Sequence, residues 1–449
     1  MAPDAQADLL SGASPPAAGE PSTRARAFTR QLSVAIIAPV RPRRLAQLRR
    51  LLEAMGEDPT GNATLPFGSL RGVHFARLVL LERTSDLDGN AIPAQLLYMC
   101  DIDGPLADHL DELLDLAPGL DRVFGGCEGY PTRTSASRAT RASWLADHLA
   151  ETQAYYVNTV GLTVAQILRD AELHDCLEAF LDSHDWDGRV PLEIRAAIQR
   201  YVGTRPELAW ALAPNDGRTL LDRARDVAAV ALPLAGAAAS APVWLPLAPA
   251  YLLALRLHEL TDTVETERPT AAHERRLAEL EDRGPQNQFS AVGFVKPGIL
   301  RRATIALGIR GLDVAARHVF NSGSLAGVKT IHFAHWTMLD SGRRLIFTSN
   351  YDGTVKSYND DFIDRLWWGL NLVFSNGVGW PRTFLALWQG CRDEQEFKYY
   401  LRRHQIPTQV WFSAYPTLTA LNITNNAKIR AGLAGSIDSE EVRRWLQLL

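Results

Sequence analysis

The feature that most constrains this chain is that several of its segments occur twice, in the same order. Gln31-Leu-Ser-Val-Ala-Ile-Ile-Ala-Pro-Val-Arg-Pro42 returns as Gln288-Phe-Ser-Ala-Val-Gly-Phe-Val-Lys-Pro297. Gly68-Ser-Leu-Arg-Gly-Val-His-Phe-Ala76 returns as Gly323-Ser-Leu-Ala-Gly-Val-Lys-Thr-Ile-His-Phe-Ala334. Asp103-Gly104 answers to Asp352-Gly353, Leu120-Asp-Arg-Val-Phe-Gly-Gly-Cys-Glu-Gly-Tyr-Pro131 to Leu370-Asn-Leu-Val-Phe-Ser-Asn-Gly-Val-Gly-Trp-Pro381, and Leu162-Thr163 to Leu418-Thr419. Five ordered matches are hard to produce by chance, and self-similarity at this spacing means one structural unit used twice.

Local patterns indicate what the unit is. Leu32 to Val40 is β-branched and apolar, which favours a strand. Leu45, Leu48, Leu51, Leu52 and Met55 fall on one helical face between Pro42 and Gly56. His74 to Glu82 and Gln95 to Ile102 are two further expected strands, joined by the turn-rich Ser85-Asp-Leu-Asp-Gly-Asn90 as a hairpin. Leu106, Leu110, Leu113 and Leu114 mark a second helix closed at Pro118-Gly119, and Leu120 to Phe124 is expected as the fourth strand. The second copy repeats this order with Asp361 to Leu372 as its second helix. Helical extensions follow at Trp144 to Gln153 and Asp393 to Arg403, each able to lead into one more strand.

The order β-α-β-β-α-β is the ferredoxin-like arrangement. The fold class expected is therefore α+β, a tandem duplication of a ferredoxin-like βαββαβ unit. Helices cover one face of each sheet, so the two bare faces can cover each other and form an intrachain α+β barrel around a cavity. The expected layout is a disordered tail over 1–29, a first unit over 30–182, a helical linker over 183–285, and a second unit over 286–449.

The linker carries an uncharged stretch from Val227 to Leu255. Its length qualifies as a membrane span, but Pro233, Pro242, Pro246 and Pro249 would break a straight helix. A single crossing would also strand the two copies on opposite sides of the bilayer. Two arms of ~12 residues at ~1.5 Å each reach about 18 Å, short of a ~30 Å core, so a hairpin entering and leaving one leaflet fits better. Arg223, Arg225 and Arg256 would then meet anionic head groups. The alternatives are a helical pair buried on the protein and a true span. The expected location is cytoplasmic, peripheral or monotopic on the inner membrane face, with lipid or an apolar small molecule as partner.

Composition removes other classes. A formal net charge of -4 leaves no basic excess for nucleic acid. Cys100, Cys127, Cys176 and Cys391 lack the paired spacing of a zinc site or disulfide framework. Met1 to Thr29 lacks a signal-peptide core. Nucleotide-binding, triad and metalloprotease motifs are missing too.

Candidate site residues come from the repeated strands. Each second strand opens with His-Phe, at His74-Phe75 and His332-Phe333. Strand alternation puts His332, Ala334 and Trp336 on one face, and Phe333, His335 and Thr337 on the other, where His335 corresponds to Arg77. Thr348, Asn350 and Asp352 share a face on the next strand, as do Met99, Asp101 and Asp103. Imidazole can ligate metal and titrate near neutrality, but a histidine kept in both copies can equally serve structure, and Asp103 and Asp352 can cap a helix. Arg382 after Gly-Trp-Pro and Arg133 after Tyr-Pro-Thr could hold a carboxylate. His318 and the Asn422–Asn426 run carry structural readings.

The double ferredoxin-like plan resembles the dimeric α+β barrel superfamily, which includes dye-decolourising peroxidases and chlorite dismutases. That resemblance implies a haem in the barrel with a histidine on its iron, and in the peroxidases a distal Asp in a G-x-x-D-G loop. Ser349-Asn-Tyr-Asp-Gly353 and Cys100-Asp-Ile-Asp-Gly104 match without the leading glycine. On the haem reading, which the polar wall of these strands motivates, His332 or His335 would bind iron, Asp352, Asn350 and His335 would be catalytic with Asp352 shuttling protons, and Arg382, His74, Arg77 and Asp103 would line the cofactor. The functional expectation is a membrane-associated, haem-dependent, peroxidase-like oxidoreductase acting on an apolar or lipid-derived substrate. A non-catalytic lipid- or ligand-binding module and a scaffold with a filled barrel are the alternatives, and homo-oligomers fit each.

Overall fold

Runs of β-branched and aromatic residues bounded by turn formers produce eight strands of four or more residues. They are β1 (Leu32–Pro39), β2 (Val73–Leu81), β3 (Gln95–Ile102), β4 (Thr152–Val157), β5 (Gln286–Phe294), β6 (Ile331–Leu339), β7 (Arg344–Asp352) and β8 (Val410–Ser413). This count covers residues 30–131, 136–213, 218–435 and 437–449, which the computed structural model describes. The tail expected over 1–29 and the candidate Arg133 lie outside them.

The protein is mixed α+β, with two four-stranded antiparallel sheets of order β1-β3-β2-β8 and β5-β7-β6-β4. Every residue of β2, β3 and β7 is buried, as both faces of each sheet are covered. Helices α1 (Leu45–Glu57), α2 (Leu106–Asp115) and α3 (Ala117–Phe124) cover the outer face of the first sheet through Leu48, Leu52, Leu113 and Leu120.

Two sequence expectations need correction here. Leu120 to Phe124 is not a fourth strand but the end of α3. Pro118 sits in that helix's first turn, and Leu120, Val123 and Phe124 share one buried helical face. A short apolar run cannot by its periodicity choose between strand and buried helix. In each half the fourth strand comes later, after the helical extension α4 (Arg138–Asp147) in the first and its counterpart in the second.

The second correction concerns closure, because neither sheet closes into a barrel. Each late strand starts beside its own half and then leaves for the other. Ala150 N donates to Ala35 O (2.8 Å) before β4 pairs with β6, and Ile406 N donates to Ser290 O (2.8 Å) before β8 pairs with β2. Where the sheets meet, only isolated bridges form, Ile36 with Leu149 and Ala291 with Gln405, so the ladder is interrupted at both corners. Each sheet is thus completed by a strand from the opposite half.

After β4 come α5 (Val164–Asp182) and α6 (Pro191–Gly203). The apolar stretch then folds as α7 (Leu220–Ala239), a helical turn at Ala241–Trp244, and α8 (Ala248–Thr261). Among the described residues no helix is long and apolar enough to cross a membrane. The linker closes with α9 (Ala271–Ala278), and the second half contains α10 (Ile299–Val314), α11 (Val355–Arg365), α12 (Trp367–Phe374), α13 (Glu394–His404), α14 (Ala420–Leu433) and α15 (Ser439–Leu446). The helix expected over Asp361 to Leu372 is therefore two, broken at Leu366, and α12 takes the place of the expected strand. Helices α5 and α14 pack together, with Arg430 Nε 3.0 Å from the Asp170 carboxylate.

Candidate functional site

The repeated histidines sit at breaks in the strand pairing. The β2–β3 register skips between Val73 and Phe75, and the β6–β7 register skips between Ile331 and Phe333, so His74 and His332 are each the extra residue of a β-bulge. Simple alternation put His332 with Ala334 and Trp336. The bulge instead turns it toward the other sheet, with its ring 5.3 Å from that of Phe75, while His74 lies 5.3 Å from Phe333.

Both bulges serve the same contact. His74 Nε2 meets Asp103 Oδ1 at 2.8 Å, and the other carboxylate oxygen accepts from Val164 N at 3.1 Å, in the first turn of α5. His332 Nε2 meets Asp352 Oδ1 at 2.7 Å, and that carboxylate accepts from Ala420 N at 2.8 Å, in the first turn of α14. Each aspartate thus stands at a helix N-terminus, where its charge is favoured. The helix is not the next one in sequence but one whose own cap, Thr163 or Thr419, belongs to the repeated Leu-Thr pair. Gln31 and Gln286 anchor the same turns. Gln31 Nε2 donates to Thr159 O (3.0 Å) and Leu162 O (2.7 Å), and Gln286 Nε2 donates to Tyr415 O (3.1 Å) and Leu418 O. The equivalent of Gln31 is therefore Gln286 and not Gln288.

Between the sheets lies a layer of polar side chains, nearly all of them fully buried. Arg77 donates to Phe289 O (2.8 Å), Ser290 Oγ (2.9 Å), Ser349 O (3.0 Å) and Asn350 Oδ1. Asn350 Oδ1 also accepts from Trp411 Nε1 (2.9 Å), and its Nδ2 donates to Asp101 (3.1 Å). Asp101 further accepts from Tyr155 OH (3.0 Å) and meets His335 Nε2 (2.7 Å), while His335 Nδ1 lies 3.0 Å from Thr348 Oγ1. Burial lowers the Arg77 pKa to about 10 despite Asp101 nearby, and burial with Asp101 raises that of Tyr155. Asn350 is the hinge of this layer, since its two amide ends bind the cation and the anion.

The residues expected to line a cofactor are thus spent on each other. His335 uses both ring nitrogens, His74 uses Nε2 on Asp103 and Nδ1 on Tyr415 OH (2.8 Å), and His332 uses Nε2 on Asp352. Among the described residues no group of three or more His, Cys, Asp or Glu is placed to hold a metal ion. Arg382 is exposed on the loop after α12 and joins none of these contacts. Tyr155 and Trp411 were missed because they lie on β4 and β8, whose adjacent aromatic pairs Tyr155-Tyr156 and Trp411-Phe412 were the available signal.

A second set of residues, on the surface, was half-legible. The arms α7 and α8 carry exposed Val227, Leu232, Leu234, Leu253 and Leu257, and the segment joining them exposes Val243, Leu245 and Leu247. Charged feet hold the arms to the body. Asp226 on α7 binds Arg30, and His318 Nδ1 lies 2.7 Å from it, which gives that lone histidine its structural role. On α8, Glu259 is almost fully buried and accepts from Thr383 Oγ1 (2.9 Å), Leu385 N (2.9 Å) and Ala386 N (2.7 Å). Leu385 and Ala386 have left-handed backbone (φ 53° and 56°), so this carboxylate organises a tight turn that presents Phe384 and Trp388 to solvent. Arg256 lies 5.0 Å over the Phe384 ring. Tyr251 OH meets Thr304 Oγ1 at 2.7 Å, joining α8 to α10, whose outer face exposes Ile299, Arg302, Leu307 and Arg310.

Comparison of the chain with protein-family models, curated proteins and solved structures gave no match.

Proposed function

We propose that this chain is a membrane-surface protein that binds an apolar small molecule or lipid without catalysis, built from two descendants of one ferredoxin-like unit. The observation carrying the first part is the exposed apolar surface of α7 and α8, which is continuous with α10 and with the Phe384–Trp388 turn. Monomeric soluble proteins rarely leave so many large aliphatic residues exposed together. Arg223, Arg225, Arg302 and Arg310 are exposed beside it, and Trp and Tyr or Phe beside a basic rim suit the lipid head-group region. A hairpin whose two feet are pinned to one body fits entry and exit through the same leaflet.

The duplication is supported by the matching strand orders, the paired His-Asp-helix contacts and the paired glutamines. The engaged histidines and the sealed polar layer favour a structural role for the inter-sheet residues over a redox one.

Flotation of the purified full-length chain with phosphatidylcholine vesicles, with and without phosphatidylserine, tests the proposal. The wild type is expected to float, more completely with the anionic lipid. Leu232→Glu with Leu245→Glu is expected to stay in the soluble fraction with an unchanged far-UV spectrum. A wild type that stays at the bottom of the gradient overturns the reading. So does a stable dimer that the same variant converts to monomer, because the apolar surface would then be a subunit interface.

A further inference from the structure

Matching strand orders allow one corner of the protein to be compared with its counterpart in the other half. In the second half, Val295 bridges Gly377, Lys296 N donates to Asn376 O (2.8 Å), and Lys296 Nζ reaches Ser375 O (2.7 Å). Asp262, at the end of α8, closes this corner, with its carboxylate 2.7 Å from Lys296 Nζ and bound by Arg301 through Nη2. The corner cations are thus paired within the chain, and Ser375 and Asn376 are fully buried.

The first half repeats the backbone contacts. Val40 bridges Cys127, Arg41 N donates to Gly126 O (3.0 Å), and the Arg41 guanidinium reaches Gly125 O (2.8 Å). Arg41 therefore stands where Lys296 does, and Gly125-Gly126 where Ser375-Asn376 do. Arg44 precedes the buried Leu48 by four residues, as Arg301 precedes the buried Ile305, so these arginines begin the core-facing stripes of corresponding helices. What the first half lacks is the carboxylate. Among the described residues no acidic side chain pairs with Arg41 or Arg44, and Arg44 Nη1 donates to the neutral Gln47 Oε1 (2.9 Å).

Two adjoining open hollows, of about 470 and 670 Å³, occupy the uncovered corner, within the roughly 300–1,000 Å³ usual for small-molecule sites. Both are lined by Arg44, Asp121, Arg122 and Gly125, while Arg50 lines one and Arg41 and Arg141 the other. Asp121 is the one acidic residue of these linings, and it is already engaged. Arg141 holds both its oxygens (2.8 and 2.7 Å), and Tyr130 OH donates to it (2.8 Å). Arg41, Arg44, Arg50 and Arg122 therefore line the hollows with no ion-pair partner among the described residues. Their placement also works against the fold. Arg43 and Arg44 lead into α1, whose first turn has no acidic residue, and a helix N-terminus disfavours positive charge. A bound anion would relieve both strains.

We propose that these hollows form a site for a small molecule carrying two phosphoryl groups, with Arg44 and Arg122 shared between the groups and Arg41 and Arg50 flanking them. Each phosphoryl group carries about −1.5 to −2 charge at neutral pH, so two of them balance four arginines. The planar guanidinium fork fits phosphate oxygens in pairs. A lone carboxylate suffices for the two cations of the closed corner but would leave the open one largely unneutralised. The site does not rest on the membrane reading, and its chemistry is the same for a soluble compound and for a phosphorylated lipid head group.

The test is calorimetric titration of the full-length chain with pyrophosphate and with orthophosphate, in vesicle-free buffer at physiological salt. Pyrophosphate is expected to bind at least about tenfold more tightly than orthophosphate, and Arg44→Ala with Arg122→Ala to weaken it by at least about tenfold. Arg49→Ala removes a cation of the same helix that pairs with Glu82 outside the hollows, and is expected to change nothing. Gln47→Glu supplies a carboxylate beside Arg44 at the helix start, so it is expected to weaken pyrophosphate binding while raising the thermal midpoint. Equal binding of the two anions overturns the two-group assignment. An equal loss in Arg49→Ala, or undiminished binding in Gln47→Glu, overturns the location. Flotation distinguishes the sources, comparing phosphatidylcholine vesicles that carry phosphatidylinositol bisphosphate with vesicles of equal charge that carry phosphatidylserine. A soluble ligand predicts equal flotation, whereas extra flotation that Arg44→Ala with Arg122→Ala removes assigns the site to a head group. Leu232→Glu with Leu245→Glu is expected to leave the titration unchanged, so failure of this site is separable from failure of the membrane reading.

Discussion

If the α7–α8 hairpin enters lipid, trimming its leucines must weaken partitioning by an amount fixed by how much of each is exposed. Leu234 is 65% and Leu245 58% exposed in the protein alone. Leu→Ala removes three carbons, each worth about 0.8 kcal/mol when taken from water into an apolar phase. Scaled by those exposures, each substitution costs about 1.5 kcal/mol of transfer, so the pair should lower the vesicle partition coefficient roughly 100-fold. The assay is co-sedimentation across a lipid titration, with partition coefficients for wild type and the Leu234→Ala/Leu245→Ala variant. A control pair, Leu168→Ala with Leu192→Ala, removes similarly exposed leucines from α5 and α6 (45% and 46%) and should leave partitioning unchanged. A change under threefold in the hairpin variant, or an equal change in the control, would refute the insertion argument. Raising salt should weaken binding to anionic vesicles through Arg223, Arg225, Arg302 and Arg310, each worth about 1 kcal/mol near such a surface, and leave neutral vesicles nearly unaffected.

The polar layer makes its own predictions. Asp101→Asn leaves Arg77 without its buried counter-charge and should cost about 3 kcal/mol, read as a lower denaturant midpoint; a loss under 1 kcal/mol would mean the layer is hydrated. Asp352→Ala strips a partner from both His332 and the Ala420 amide and should cost about 2–4 kcal/mol, with faster hydrogen exchange in the first turn of α14. His109, buried in α2 beside Tyr98 OH (3.0 Å), has its pKa lowered by burial from the usual 6.5 to about 4. Below 6.5 the unfolded chain binds a proton that the folded chain refuses until about 4, so stability falls as pH drops through that window, by about 3 kcal/mol in all. His109→Phe should flatten the pH dependence of the thermal midpoint between those limits, and an unchanged slope would assign the acid sensitivity elsewhere.

Much of the fold was legible because its signals are local. β1, β3 and the helix from Leu45 follow from periodicity, and their observed limits agree with the pattern to within two residues. The hidden parts depend on distant partners. Nothing in Leu120 to Phe124 distinguishes a buried strand from a buried helix, and Pro118 was taken as a stop when it serves as a first-turn residue. The bulges at His74 and His332 were invisible too, because an extra residue is defined by the neighbouring strand. The repeated letters Gln-x-Ser pulled Gln31 onto Gln288, an error of two residues; a strand's side chains alternate with period two, so the face assignment survived while the hydrogen-bond partner did not. Tyr155 and Trp411 needed knowledge of the strand exchange, which no local pattern encodes.

The exchange also explains why corresponding positions hold different chemistry. On the duplication reading, Arg77 stands where His335 does, Asp101 where Asn350 does, and Trp411 where Tyr155 does, since each pair occupies the same place in the two registers. Two identical halves would set arginine facing aspartate twice, or histidine facing asparagine twice. The layer instead makes one chain of contacts, Arg77 to Asn350 to Asp101 to His335, in which every link joins the halves. Neither half can complete that chain alone. A substitution at any of these positions is therefore felt by both sheets. The shared interior is bound to keep its complementarity.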